Sequence, residues 1–217
     1  MPEVDQTREL TERTDALNET ARRILEAAKI IIADEGYSAL TLRAINRKAG
    51  VANMGAANYY FGSKAHVVGA IIREVIAEYA RVAFPAMPPT ASLEQRVNAL
   101  NASLSEYDKD NFPFLFFEIL PHALRDEELR TYLVDEYLAY FKACAEYLFP
   151  GDVLDEGTRE RLEYLAQDVA AFQDGFLLQA LVLGEQYDLP SAYERLGRYL
   201  ITAVREVMQF DSARRSE

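Results

Sequence analysis

The sequence predicts an all-α fold. Three observations carry that prediction: apolar residues recur three and four positions apart through about nine successive stretches, helix caps, glycine or proline bound those stretches, and no segment alternates apolar and polar residues as a half-buried strand does. The 217 residues, 50% of them hydrophobic, are enough to bury one large core or two small ones.

Residues 1–18 lack sustained periodicity and are expected to form a mobile arm. A first helix follows from about Thr20 to Glu35, with Ile24, Ala27, Ala28, Ile31 and Ile32 on its buried face. Gly36 stops it and Tyr37 anchors the exit. Thr41 caps a second helix carrying Leu42, Ile45 and Ala49 inward, and Gly50 ends that helix with a residue free to adopt a left-handed conformation. Asn53 is expected to cap a third, short helix from Met54 to Tyr60, turning Ala57 and Phe61 inward. Ser63 caps a long fourth helix, about Lys64 to Phe84, which ends at Pro85, Pro88 and Pro89.

Ser92 with Gln95 forms a capping box that opens a fifth helix running to about Asp108. Pro113 suits the first turn of a sixth, ending near Arg125. The seventh runs from Glu127 to Phe149 and stops at Pro150-Gly151; residues 151–158 read as a loop. An eighth helix spans about Thr158 to Gly184, and Ser191 with Glu194 is a second capping box that opens a ninth, ending near Phe210. The expected organisation is an arm (1–18), a first domain (19–66), a second helical domain (67–210) and a polar tail (211–217).

Composition narrows the function classes. No apolar run reaches membrane-spanning length, and the acidic N-terminal stretch has no apolar segment of the signal-peptide kind, so a cytoplasmic protein is expected. The single cysteine, Cys144, sits among apolar and aromatic residues and reads as a core residue of a reduced compartment. There is no zinc-like Cys/His spacing, nucleophile elbow, phosphate loop or dinucleotide fingerprint, so no metal, cofactor or enzymatic activity is expected.

The net charge of −12 is unevenly spread. Residues 1–19 carry 2 basic and 6 acidic side chains (−4), residues 20–64 carry 7 and 3 (+4), and residues 65–217 carry 14 and 26 (−12). The basic segment coincides with the second and third helices, whose helix, glycine turn and short helix match the helix-turn-helix that places its second helix in a DNA major groove. Local positive charge is what a phosphate-facing surface needs. In that short helix Gly55 and Ala56 let the backbone approach base edges closely, Ala56 can touch a thymine methyl, Asn58 can bond an adenine or a phosphate, and Met54 is a further candidate contact. Arg43, with Thr41, would grip the DNA backbone from the start of the second helix, and Asn53 lies at the turn.

Gly36-Tyr37, Thr41-Leu42, Ala49-Gly50-Val51 and the run Asn58-Tyr59-Tyr60-Phe61 ending at Lys64 together resemble the TetR family of bacterial transcriptional regulators. The specific resemblance covers about residues 20–66. It implies that Tyr59, Tyr60 and Lys64 contact phosphates and that the later helices form a ligand domain and, through the eighth and ninth, a homodimer interface. A small-molecule effector and an operator in double-stranded DNA are the partners it implies. One departure stands out: Gly50 to Phe61 is eleven steps where the family has ten, which either lengthens the turn at Val51-Ala52-Asn53 or starts the third helix one residue late.

Helices five to eight are rich in rings, and such a bundle can enclose an apolar pocket with a few polar anchors. The candidate lining is Tyr107, Phe112, Phe116, Glu118, His122, Tyr137, Phe141, Gln167, Phe172 and Gln173. Glu118 and His122 lie one helical turn apart and can share a face. The resulting expectation is a repressor released from a palindromic operator by a mostly apolar molecule; the alternative is an all-α protein that binds or sequesters small molecules and has weak DNA function.

Overall fold

The computed structural model describes residues 19–53, 55–107, 112–150 and 156–214. They form nine α-helices and two short 3-10 turns, with no strand among the described residues: α1 (Glu19–Glu35), a turn at Tyr37–Ala39, α2 (Leu42–Ala49), α3 (Ala56–Phe61), α4 (Lys64–Ala83), α5 (Leu93–Tyr107), α6 (Phe112–Ala123), α7 (Glu127–Leu148), α8 (Glu156–Leu183), a turn at Gly184–Gln186, and α9 (Leu189–Arg214). None of these helices is long and apolar enough to cross a membrane. Two compact units divide the described residues: one comprises those within Met1–Tyr79 and Asn111–Tyr137, the other those within Ala80–Asp110 and Leu138–Glu217. The division between these units falls inside α4 and α7, and α6 groups with the first three helices.

In the first unit α1 is the central element. Its apolar stripe, Ile24, Leu25, Ala28, Ile31 and Ile32, is buried and packs on α2, the Tyr37–Ala39 turn and α6. Each fully buried isoleucine or leucine there contributes about 1.5–3 kcal/mol of transfer free energy. Gly36 ends α1 at φ +80°, a conformation that side-chain-bearing residues rarely adopt. Lys29 leaves the stripe to meet Glu26 at 2.7 Å and Glu74 at 2.9 Å. Burial opposes its charge, but the hydrogen bonds it donates to both carboxylates, with their negative charge, outweigh that and hold its pKa above the ordinary value. Further along, Gly69 lets α4 and α7 approach closely, because a Cβ there would lie 2.5 Å from the Tyr132 ring.

In the second unit α9 packs on α8 and α5. The expected capping box at the start of α5 is present: the Ser92 N–H donates to Gln95 Oε1 at 2.8 Å and the Gln95 N–H donates to Ser92 Oγ at 3.2 Å. Arg96 is buried, and its guanidinium is satisfied by the carbonyls of Pro88 (2.8 Å), Tyr147 (3.2 Å) and Ala91 (3.3 Å), which ties the proline-rich link to the bundle. Arg205 and Glu94 form an ion pair between α9 and α5.

Three expectations are corrected. The third helix begins at Ala56, not Met54, and its N-cap position is Gly55 rather than Asn53. The ninth is capped by Asp188, whose carboxylate accepts from the Ser191 N–H and hydroxyl, so Ser191 lies within the first turn and not at its cap. That helix then continues to Arg214, through most of the stretch expected to be a polar tail.

Candidate nucleic-acid interface

The helix-turn-helix is assembled from local and crossing hydrogen bonds. Thr41 sits in extended backbone, and its hydroxyl accepts from the Ala44 N–H at 3.1 Å, which caps α2. Gly50 ends α2 in the left-handed region at φ 60°, ψ 31°. Arg23 reaches from α1 to the free carbonyls there, donating to Ala49 at 2.6 Å and Gly50 at 3.0 Å. Its charge meets the negative end of the α2 dipole. Asn53 makes an Asx turn by accepting from the Gly55 N–H at 2.8 Å. The additional residue is thus taken up before α3, in the turn.

The outward surface of α3 is Asn58, Tyr59 and Tyr60. Tyr59 is 80% exposed and Tyr60 38%, and their rings meet edge-on with centroids 5.1 Å apart. Beside them, residues of α1, the turn and α3, including Arg23, Asn53 and Tyr59, line a cleft of about 300 Å3. Thr41, Arg43, Arg47, Lys48 and Arg22 are exposed. Lys48 comes within 3.9 Å of Asp34, an exposed pair too loose to quench its charge. The arrangement presents aromatic hydroxyls, one carboxamide and several cations on one short segment, which is the chemistry that binds phosphate and base edges.

Two expected contacts change. Ala56 is only 4% exposed, because the late start of α3 turns it inward beside Ala57, so it is withdrawn as a thymine-methyl contact. Met54 lies outside the described residues. Lys64, for its part, is turned toward its own unit: its ammonium donates to the Tyr37 carbonyl at 3.0 Å and sits 3.8 Å from the centre of the Tyr37 ring. Burial there holds its pKa below the ordinary lysine value.

The candidate effector residues are dispersed. Phe116, Glu118, His122 and Tyr137 belong to the first unit, and Tyr107, Phe141, Gln167, Phe172 and Gln173 to the second; the Phe112 side chain lies outside the described residues. Phe116 is buried and meets Tyr137 edge-on. Glu118 and His122 do share a face, but it abuts the Tyr37–Ala39 turn: the His122 ring stacks on Tyr37 with centroids 4.0 Å apart, and Glu118 lies near Gly36. Burial, with the nearby Asp126 carboxylate, raises the Tyr37 pKa. No group of three or more His, Cys, Asp or Glu side chains among the described residues is placed to hold a metal ion. Gln167 and Phe172 are exposed on α8, and Phe172 packs on Phe176 and Tyr199, so both are withdrawn as pocket lining. Gln173 is buried: its Oε1 accepts from the Tyr140 hydroxyl at 2.9 Å, while its Nε2 has no partner among the described residues. Phe84 lies against both Tyr140 and Tyr147, with centroids 5.3 Å apart in each case.

Residues 24–71, which span α1 to the first part of α4, match the model of bacterial regulatory proteins of the tetR family. That segment carries the signature of the TetR family. A curated relative, the HTH-type transcriptional regulator BetI of Rhizobium meliloti (strain 1021), is 34% identical over 117 residues, covering 52% of this chain and 56% of that protein. The chain thus aligns with little more than half the length of that relative. Among solved structures it resembles a TetR-family member, SCO1917 from Streptomyces coelicolor A3, at 26% identity and TM-score 0.65, covering 83% of this chain and 98% of that one. It also resembles the multidrug binding protein EbrR complexed with ethidium, at 25% identity and TM-score 0.62, over 83% and 98% of the two chains.

Sequence reasoning missed the buried hydrogen bonds of Asn46 and Tyr140. Asn46 had a visible signal: it occupies the inward face marked by Leu42, Ile45 and Ala49, and a polar residue on an apolar stripe needs a buried partner. Tyr140 had none, since nothing local distinguishes it from the other rings.

Proposed function

We propose that this chain is a homodimeric transcriptional repressor that holds a palindromic duplex site and leaves it when a small, mostly apolar molecule binds. The observation that carries the reading is the exposed Asn58-Tyr59-Tyr60 surface on the basic segment of an otherwise acidic chain. Asn58 would read a base edge or phosphate, Tyr59 and Tyr60 would bond phosphates, and Thr41 and Arg43 would fix the register from α2. Lys64 would add a phosphate contact, since an ammonium has three N–H donors and the Tyr37 carbonyl takes one. Residues 19–66 would serve DNA and 67–210 the effector and partner, a functional division that need not follow compactness.

Dimerisation follows from the small footprint of α3: two copies about one DNA turn (~34–36 Å) apart would read a site of useful length. Exposed apolar side chains on α8 and α9, among them Leu178, Leu181, Val182 and Tyr199, support pairing through those helices. For the effector, the cluster of Phe84, Tyr140, Tyr147 and Gln173 supports an aromatic or apolar molecule bearing one hydrogen-bond acceptor, which the unpartnered Gln173 Nε2 would meet. The ethidium and proflavin complexes of EbrR, at 25% and 26% identity, point the same way. Helix α4 would transmit the signal, because Lys64 begins it and Phe84 follows its end. Shifting a population from mostly bound to mostly released requires ~5.5 kcal/mol of differential affinity.

Selection of bound duplexes from a random pool, with a Tyr59→Ala, Lys64→Ala double variant as control, tests the reading. Enrichment of a palindrome by the wild type alone is expected. A folded dimer that enriches nothing at low salt would favour a sequestering protein.

A further inference from the structure

Helix α3 has only six residues, and its N-cap, Gly55, has no side chain with which to satisfy the helix's free N–H groups. Two of those groups are met in other ways. The Ala56 N–H donates to the Asn53 carbonyl at 3.0 Å. The Ala57 N–H donates to Asn46 Oδ1 at 2.8 Å, across eleven residues and from a different helix. Asn46 also holds the near end of the same turn, its carbonyl facing the Val51 N–H at 3.5 Å. One residue of α2 thus grips both sides of the lengthened turn. It is 2% exposed, so water does not compete for its carboxamide, and Ala57 is wholly buried.

A local cap at residue 55 would stabilise α3 but would move with it. A cap supplied by α2 fixes α3 relative to the rest of the helix-turn-helix. Hydrophobicity alone would place leucine or isoleucine at position 46, on the stripe of Leu42, Ile45 and Ala49. The carboxamide there gives up apolar burial for a directed bond to the recognition helix. We infer that Asn46 is the positioning residue that sets the orientation of α3 on duplex DNA, and through it the discrimination between sequences. This rests on the reading of the chain as a DNA-binding regulator.

The test compares wild type, Asn46→Leu and Asn46→Asp on two probes: the duplex selected from the random pool and a mixed-sequence duplex of equal length. Affinities are read by fluorescence anisotropy, and exchange of the Ala57 amide by NMR. Leucine keeps the branched outline, at somewhat greater bulk, and removes the acceptor; aspartate keeps the acceptor. The expected result for Asn46→Leu is a selected-to-mixed affinity ratio lower by about tenfold, mixed-duplex affinity within about twofold, and faster Ala57 exchange. Asn46→Asp should restore Ala57 protection and the ratio, even though its added negative charge weakens both affinities together. Should Asn46→Leu fail to fold, Asn46→Ala takes its place with the same expected readouts. An unchanged ratio, undiminished Ala57 protection, or a parallel loss on both duplexes with a falling thermal midpoint would overturn the inference alone. A wild type that prefers no duplex would overturn the DNA-binding reading beneath it.

Discussion

The helix-turn-helix and the ring cluster of α7 and α8 both use tyrosine, yet Tyr59 is 80% exposed and Tyr140 only 5%. In the first region the backbone donors of the turn are met from within by Thr41, Asn46 and Asn53, while the rings are left outside. In the second the rings are inside, and a buried amide donor, Gln173 Nε2, has no partner among the described residues. A surface with its internal bonds complete and its aromatic hydroxyls exposed is suited to a large polar partner. A buried aromatic cluster with a spare donor would, under the proposed function, suit a small molecule with one acceptor. The difference separates two jobs by where the unused hydrogen-bonding capacity lies.

The contrast breaks most visibly at the exposed pair. Tyr59→Ala combined with Tyr60→Ala should lower affinity for the selected duplex by about a hundredfold or more, at ~1–3 kcal/mol per lost contact. The thermal midpoint should barely move, since exposed substitutions stay within about 0.5 kcal/mol. A large fall in the midpoint would show that these rings serve the fold.

The buried pair should behave in the opposite way. Tyr140→Phe leaves Gln173 Oε1 without its donor and should cost about 1–2 kcal/mol in urea unfolding while leaving DNA affinity intact. Adding Gln173→Leu should return most of that stability, because both polar partners are then gone. Additive losses in the double variant would show that Gln173 is fully satisfied in the folded protein.

Between these lies Gly50→Ala. At φ 60° an alanine costs about 1–2 kcal/mol, and its Cβ would press on Arg23 Nη2 at 3.4 Å, so stability and DNA affinity should fall together. The smallest effect is chemical. Burial pushes the Cys144 thiol from 9.0 up to about 12, so a thiol reagent at pH 8 should label it only after unfolding. Above pH 9 the unfolded chain releases this proton and the folded chain keeps it, so this group's contribution to stability should decline as pH rises toward 12. Labelling of the native protein at pH 8 would place Cys144 outside the core.

What could be read from sequence followed from the range of the interactions. Gly36, Thr41, Gly50 and the Ser92–Gln95 box act within four residues, and each sits where local chemistry places it. The start of α3 was misplaced because its cap is eleven residues upstream on another helix, while the strong local acceptor, Asn53, is used on Gly55 instead. At α9, Pro190 needs no N–H partner in a first turn, so the cap moves back to Asp188. The candidate effector residues were the hardest to read. Phe172 and Gln173 are adjacent, yet one faces out and the other in, and only packing against Tyr140 decides between them. The ring partner of His122 was unreadable for the same reason, Tyr37 being distant in sequence.

The central claim is that residues 41–64 read DNA. Titrating isotope-labelled protein with the selected duplex, and mapping amide and side-chain chemical-shift changes, tests it most directly. The account predicts the largest changes at Thr41, Arg43, Asn58, Tyr59 and Tyr60, with Lys64 shifting as its ammonium turns toward phosphate. Changes centred on α5, α8 and α9, with Asn58 to Tyr60 unmoved, would contradict it.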